Sequence, residues 1–208
     1  MPLMKKTGYL LSIALALLFT LSCEDEDVHN KTKIIGTGPV VSETLDLNPF
    51  TGIENTGVAD FNVVAGSTQS VVLKAQQNII DVMTWKVENG SLVVGLDKYV
   101  SIEKDADITF EITIPAISDI TLTGVGDFNL SGDDQDILNI RLTGVGNVNA
   151  YGLKVKNCYV TFTGVGDCKV NVTDNLDVTI TGVGYIYYKG DPDINSLITG
   201  VGLLINDN

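Results

Sequence analysis

The tetrapeptide Thr-Gly-Val-Gly occurs five times in this chain of 208 residues, and its spacing restricts the fold more than any other feature. The copies begin at Thr123, Thr143, Thr163, Thr181 and Thr199. Successive copies therefore lie 20, 20, 18 and 18 residues apart. A repeat of about 20 residues is typical of proteins built from stacked units that contact mainly their neighbours. The spacing predicts a series of similar coils over the C-terminal part of the chain.

Apolar and polar residues alternate on both sides of each copy, as they do in β-strands with one buried face. The columns one residue before and five residues after the threonine are Leu122, Leu142, Phe162, Ile180 and Ile198, and Phe128, Val148, Cys168, Ile186 and Leu204. Each repeat is therefore predicted to be a strand, a Gly-x-Gly bend, a second strand and a polar turn. The sequence predicts an all-β fold with the coils of a right-handed parallel β-helix or a similar solenoid.

Glycine suits such bends for two reasons. Stacked bends ~4.8 Å apart leave little room for a Cβ atom, and the turn is expected to need a positive φ angle. Gly-x-Gly also occurs in phosphate-binding loops, but those loops precede a helix, and the P-loop adds a lysine. Neither feature follows any of the five copies, so a structural role is favoured.

The part of the chain before the repeats is less regular. Residues 56–62 (Thr-Gly-Val-Ala-Asp-Phe-Asn) nearly copy residues 123–129, which predicts an earlier coil. Asn89-Gly90 predicts a tight hairpin between two strands. Strands are predicted at 61–64, 70–75, 84–88, 91–96 and 108–114, and one helical turn within 76–83. Residues 39–208 are thus predicted to form a single β-rich domain.

The N-terminus is predicted to be a lipoprotein signal peptide at residues 1–22. Lys5 and Lys6 precede an apolar run at 8–21 that is short for a bilayer span. The small residue before Cys23 resembles the lipobox of bacterial lipoproteins, so we predict that Cys23 is acylated. An ordinary signal peptide followed by an incidental cysteine is the alternative.

The residues after the cysteine are predicted to be an acidic flexible tether at 23–38. Four acidic residues at 24–27 resemble the surface-export signal of some Gram-negative lipoproteins, and they also suit a solvated linker. We predict an outer-membrane partner through the acyl anchor, with the domain exposed at the cell surface or, alternatively, facing the periplasm.

The net charge of the chain limits the classes of partner that it can bind. The chain has 26 Asp and Glu residues against 13 Lys and Arg residues, a net charge of −13. Such a surface repels phosphate backbones and anionic lipid headgroups, so no nucleic-acid partner is predicted. The single histidine, His29, lies in the tether, which argues against His-based zinc sites and Ser-His-Asp catalysis in the domain.

Two clusters of reactive side chains remain. Asp133, Asp134 and Asp136 share one turn, which is either a calcium site or the commoner solvated turn; we predict no metal and no cofactor. Cys158 and Cys168 both occupy inward columns. An oxidising compartment leaves a disulfide open, but facing sheets lie ~10 Å apart and a disulfide needs Cα atoms within about 7 Å, which favours two buried free thiols.

Three short stretches add to the ladder of Gly-x-Gly bends that starts at Thr123. They are 50–53 (Phe-Thr-Gly-Ile), 87–94 (Val-Glu-Asn-Gly-Ser-Leu-Val-Val) and 112–115 (Ile-Thr-Ile-Pro). Together they resemble the head GIN domain of putative auto-transporter adhesins, over residues 40–206. The resemblance implies a β-helix-like fold at the cell surface, and it carries over no catalytic residue.

We therefore predict a lipid-anchored, adhesin-like binding or structural module that is not an enzyme. The alternative is a carbohydrate-active β-helix enzyme, a polysaccharide hydrolase or lyase. In that case Asp127 and Asp167, two repeats and roughly 10 Å apart, would be the candidate carboxylate pair. A sensing accessory in the periplasm is a third possibility.

The candidate binding residues are the outward positions four and six residues beyond each threonine. The first three repeats place Asp, Asn or Lys there, whereas the last two place Tyr185, Tyr187, Leu203 and Ile205. Exposed apolar patches usually mark contact sites, and tyrosine can stack on sugars or side chains. We predict a surface for a glycan, a matrix protein or a second copy, unless another part of the chain, such as 98–107, covers it.

Overall fold

The structure, a computed structural model, describes residues 31–103 and 106–208. Strand accounts for 65% and helix for 2%, so the all-β prediction is confirmed. The predicted signal peptide, Cys23 and the first part of the predicted tether lie outside the described residues. In the part that is described, no helix is long and apolar enough to cross a membrane.

Within these residues the chain forms a succession of strands with one short helix. The N-terminal elements are β1 (Thr32–Ile34), β2 (Val40–Thr44), β3 (Gly52–Asn55), β4 (Asp60–Ala65), β5 (Ser70–Gln76), α1 (Gln77–Ile80), β6 (Met83–Glu88), β7 (Ser91–Leu96), β8 (Val100–Ile102) and β9 (Thr109–Ile114). The C-terminal elements are β10 (Asp119–Leu122), β11 (Phe128–Gly132), β12 (Gln135–Leu142), β13 (Val148–Phe162), β14 (Cys168–Ile180), β15 (Val183–Lys189), β16 (Asp193–Ile198) and β17 (Val201–Asn206).

The N-terminal elements follow the prediction closely. Strands β6 and β7 form an antiparallel hairpin, and Asn89 and Gly90 supply its turn with φ angles of 52° and 80°. Both positive angles are what a two-residue hairpin turn requires. Strands β3 and β4 pair in parallel with β10 and β11, which confirms that residues 56–62 bend like the later repeats. Strand β1 starts at Thr32, inside the stretch predicted as a tether, and pairs in parallel with β8.

The repeats pair as two parallel ladders. The strands that precede the bends pair in the order β10, β12, β13, β14 and β16. The strands that follow the bends pair in the order β11, β13, β14, β15 and β17. The register keeps equivalent residues opposite each other, as with Ile180 and Ile198. These strands belong to one 15-stranded sheet, which is curled and open.

The long strands β13 and β14 belong to both ladders. The sequence predicts a polar turn between the two strands of every repeat, yet here the chain continues as one strand through 15 and 13 residues. The register between β13 and β14 shifts at an irregularity between Ala150 and Lys154. A bulge of this kind bends a strand without ending it, which is why no separate turn appears.

The two glycines of each bend have different roles. Gly146 has a φ angle of 146°, in a region that L side chains rarely adopt. The φ angle of Gly144 is not of this kind, but a Cβ atom there would collide with the main-chain oxygen of Gly124 in the preceding repeat. The expected positive φ angle therefore belongs to the second glycine, and close stacking alone explains the first. The valines between the glycines of the first four bends stack through isolated bridges and stay about half exposed.

The predicted inward columns form the core. Leu122, Leu142, Phe162 and Ile180 are fully buried, and so are Phe128, Cys168 and Ile186 in the second column. The ring of Phe61 stacks between those of Phe110 and Phe128, with centroids 5.1 and 4.4 Å away. Both ladders therefore contribute to a continuous apolar interior.

The last repeat departs from the prediction. Ile194 and Ile198 occupy inward positions of the pattern, yet their side chains are 43% and 38% exposed. Every residue of β16 is exposed, although the strand pairs with β14 in the expected register. The alternating pattern of a repeat predicts the face of the sheet on which a side chain lies. Burial of that side chain also requires other residues to pack against the same face.

The two cysteines of the domain are free and buried, as predicted. Burial raises the pKa of the Cys168 thiol to about 12 and raises that of Cys158 well above its ordinary value. Thiolates are therefore scarce at neutral pH, and both side chains act as small apolar groups of the core.

Candidate functional site

The structure brings the four predicted binding residues together on one face. Tyr185 lies directly opposite Leu203, and Tyr187 lies opposite Ile205, on the neighbouring strands β15 and β17. Tyr185 is 44% exposed and Leu203 is 58% exposed, while the other two are partly buried. Within the described chain Tyr185 and Leu203 are therefore exposed to solvent, and we call the four residues the Tyr185 patch.

Two lysines and a further tyrosine extend this surface. The Nζ atom of Lys189 lies 4.6 Å from the ring centroid of Tyr151, and that of Lys169 lies 5.7 Å from the centroids of both Tyr151 and Tyr187. These distances are within the range of cation–π interactions. The ring of Tyr187 is in turn 6.2 Å from that of Tyr185. We call Tyr151, Lys169, Tyr187 and Lys189 the lysine–tyrosine cluster.

The sequence prediction missed Tyr151 and Lys189. They lie eight residues beyond Thr143 and Thr181, so they continue the outward columns by one more step of two. Extending those columns would have placed them on the same face. Tyr151 lies at the irregularity in the strand pairing between Ala150 and Lys154, and no sequence signal marks it.

Tyr151 is held by a hydrogen bond across the sheet. Its hydroxyl group donates to Oδ2 of Asp207 at 2.6 Å. Partial burial and this hydrogen bond both raise the pKa of Tyr151, so the phenol stays protonated and keeps donating. The contact fixes the ring beneath the two lysines and engages the carboxylate of Asp207.

The outward Asp and Asn residues next to the bends have a structural use. Oδ1 of Asn147 accepts the main-chain N–H of Asp167 at 2.9 Å, and Oδ1 of Asp167 accepts that of Tyr185 at 2.9 Å. Oδ1 of Asp60 accepts the main-chain N–H of Asp127 in the same way two repeats earlier, at 2.8 Å. Both carboxylates of the candidate enzymatic pair, Asp127 and Asp167, thus accept hydrogen bonds that join one repeat to the next.

A family model for the putative auto-transporter adhesin, head GIN domain, matches residues 49–137 and 119–192. The chain belongs to this family. The two matched segments overlap on the first Gly-x-Gly bend, which is consistent with the internal repetition of the head GIN domain. No curated protein matches the chain in sequence.

Solved structures share the fold of this head GIN domain. A putative adhesin from Bacteroides fragilis NCTC 9343 is 22% identical, covers 84% of this chain and 100% of its own length, and superposes with a TM-score of 0.58. A putative lipid binding protein from Parabacteroides distasonis ATCC 8503 is 16% identical, covers 85% of this chain and 100% of its own, with a TM-score of 0.50. At these identities the likeness concerns the fold alone.

The acidic turn of the head GIN domain is engaged by lysines. Asp136 forms an ion pair with Lys156 at 2.7 Å, and Asp134 lies 3.9 Å from Lys154. Over residues 31–103 and 106–208, no group of three or more His, Cys, Asp or Glu side chains is arranged to hold a metal ion. The contacts favour a solvated turn over a calcium site.

Proposed function

We propose that this chain is a lipid-anchored binding module of the cell surface that holds its partner on the Tyr185 patch and catalyses no reaction. The observation that carries the proposal is the exposure of Tyr185 beside Leu203 on a strand face that earlier repeats fill with Asp and Asn. Exposed contiguous apolar side chains usually mark a contact site. The family description, an adhesin, agrees with such a surface.

The hydrogen bonds of the two candidate carboxylates support a binding module that catalyses no reaction. An inverting glycosidase needs one carboxyl group kept protonated and a second one free to activate water. Here Asp127 and Asp167 both accept main-chain hydrogen bonds of the following repeat, so each carboxylate is already engaged by the main chain. Their positions are thus explained by the stacking of the repeats.

We also infer that the repeats wind as a right-handed parallel β-helix. Equivalent residues of successive repeats lie opposite each other in both ladders, as a coil with a constant rise requires. Connections between parallel strands of one sheet are right-handed in about 98% of cases, which supports the hand. A crystal structure with left-handed or unwound connections would contradict the inference.

We propose that Cys23 carries the acyl anchor and that this anchor holds the chain in the outer membrane. A clickable fatty acid should label the wild-type chain in cells and leave Cys23→Ser unlabelled. Protease treatment of intact cells should then remove the domain if it faces outward, and should spare it if it faces the periplasm. Equal labelling of both chains would contradict the anchor.

A binding screen tests the function itself. The full chain is applied to arrays of glycans and matrix proteins, beside the double variant Tyr185→Ser with Tyr187→Ser. We expect the double variant to lose at least about tenfold in affinity, since stacked aromatic side chains carry much of the energy of such contacts. Its melting temperature is compared with that of the wild type, because Tyr187 is partly buried and a loss of binding has to be separated from a loss of stability.

Tyr159→Ser is the matched control. Tyr159 is 47% exposed, similar to Tyr185, but lies on the other ladder opposite Asn139 and Asp177. Its loss should leave binding unchanged. The proposal fails if the double variant binds as well as the wild type, or if Tyr159→Ser weakens binding as much.

A further inference from the structure

The lysines of the lysine–tyrosine cluster differ from most of the others. Lys33, Lys74, Lys86, Lys154 and Lys156 form ion pairs with Asp or Glu. Within the described residues, neither Lys169 nor Lys189 forms an ion pair, and both lie against tyrosine rings. In a chain with 26 acidic and 13 basic residues, Lys169 and Lys189 thus place two ammonium groups that have no ion-pair partner among the described residues around one ring, that of Tyr151.

In the described part of the chain, no acidic side chain forms an ion pair with either of these two lysines. Asp207 continues the outward column of β17, but its carboxylate accepts the hydroxyl of Tyr151 and makes no ion pair with either lysine. The residue opposite Lys189 is Asn171, and the residues opposite Lys169 are Asn149 and Tyr187. The ammonium groups thus retain donors for a ligand, while the rings below hold their positions.

The cluster continues directly into the Tyr185 patch. The ring contacts run from Lys189 to Tyr151, on to Lys169 and Tyr187, and end at Tyr185. One end of this line offers ammonium donors, and the other offers an exposed ring. A tyrosine face suits the C–H surface of a sugar ring, and an ammonium group suits a carboxylate.

We propose that Lys169 and Lys189 bind the carboxylate of an acidic saccharide whose sugar rings stack on Tyr187 and Tyr185. The proposal rests on the proposed function and adds the chemical class of its ligand, a polysaccharide that contains uronic acids. The negative charge of the rest of the chain repels such a ligand elsewhere, so the two lysines also determine where it docks.

The test measures the affinity of the full chain for a short oligogalacturonate and for its methyl ester, in which the carboxylates are neutral. We expect the wild type to bind the free acid at least about tenfold more tightly than the ester, with an affinity that falls at high salt. The double variant Lys169→Gln with Lys189→Gln should lose this preference and most of the salt dependence.

A matched control removes two other lysines. Lys154→Gln with Lys156→Gln deletes the same charge from the turn where Asp134 and Asp136 lie, and should leave the preference for the free acid intact. Melting curves of all variants show whether each chain is folded. The ester comparison needs only the wild type, so the test does not depend on the stability of any variant.

Three outcomes would overturn the inference: no binding of the free acid, equal binding of acid and ester, or an unchanged preference in the Lys169 and Lys189 variant. Binding of a sulfated oligosaccharide alone would likewise overturn the assignment to carboxylates. If the double tyrosine variant loses its array ligand while the double lysine variant keeps it, the proposed function stands and only the acidic subsite fails.

Discussion

Oδ1 of Asp127 accepts two hydrogen bonds from Asn147, one from the main-chain N–H at 2.7 Å and one from the side-chain amide at 3.0 Å. Asp127 belongs to one repeat and Asn147 to the next. Main-chain pairing between parallel strands allows slippage where both faces look alike, whereas a side chain that reaches the next main-chain N–H fixes one register. The short polar residue after the Gly-x-Gly bend thus helps to fix the register between successive repeats.

Removing this acceptor should destabilise the domain. We expect Asp127→Ala to lower the free energy of unfolding by about 0.5–1.5 kcal/mol, because it removes the acceptor of two exposed hydrogen bonds from Asn147. Asp127→Asn keeps an oxygen and should lose less. Asp133→Ala is the control, since the side chain of Asp133 is exposed and makes no hydrogen bond in the described part, and it should stay within about 0.5 kcal/mol. Coincident urea unfolding curves for Asp127→Ala and the wild type would contradict the prediction.

The glycines allow steric crowding and backbone strain to be measured separately. Gly38 has a φ angle of 83° with open space around it, Gly144 has only the close contact, and Gly146 has both. We expect Gly38→Ala to lose about 1 kcal/mol and Gly144→Ala about 1–3 kcal/mol, with Gly146→Ala the least stable of the three. Urea midpoints measure the order. A Gly144→Ala variant as stable as the wild type would show that the repeats separate easily at the bend.

The sequence predicts the repeats well because a parallel ladder places equivalent residues opposite each other. A constant period therefore implies the register, as the pairing of Leu142 with Phe162 shows. The hairpin at Asn89-Gly90 was predictable for a different reason, since few residue pairs suit two positive φ angles. The pairing of β1 with β8 was not, because two three-residue strands far apart in sequence carry no pattern of their own.

The candidate site was predictable only in part. Alternation places Tyr185 and Tyr187 on the outward face, but their exposure depends on what the rest of the chain covers. Tyr151 lies at an irregularity of the strand pairing that no residue type predicts. The acceptor role of Asp167 depends on the distance to the next main chain, and the sequence alone left it open between solvation and catalysis.

The buried thiols predict a dependence of stability on pH. The folded protein raises the pKa of Cys168 from 9.0 to about 12, because burial disfavours the thiolate. A raised thiol pKa stabilises the fold while the group is protonated, so this contribution is complete below pH 9 and is lost as the pH rises towards 12. The wild type should therefore lose more stability between neutral pH and about pH 10 than a chain with Cys158→Ala and Cys168→Ala. Parallel pH profiles for the two chains would contradict the prediction.

A thiol reagent examines the same cysteines directly. Ellman's reagent should leave Cys158 and Cys168 unmodified in the folded domain and should react with both after unfolding without reductant. Comparison with the double alanine variant separates their signal from that of Cys23. Absence of that signal in the unfolded wild type would show a disulfide and contradict the free thiols.

Ile180 and Ile198 occupy the same position in successive repeats and lie opposite each other, yet Ile180 is 0% exposed and Ile198 is 38% exposed. Truncation of a fully buried isoleucine to alanine typically costs about 2–5 kcal/mol, and the cost falls with the area already in contact with water. We therefore expect Ile180→Ala to lose at least about twice as much stability as Ile198→Ala in dilute solution. If a second copy covers the last repeat, Ile198→Ala should instead become costly as the protein concentration rises, and light scattering should show a dimer that the variant lacks. Equal losses for the two variants at every concentration, without a dimer, would contradict the exposure of Ile198.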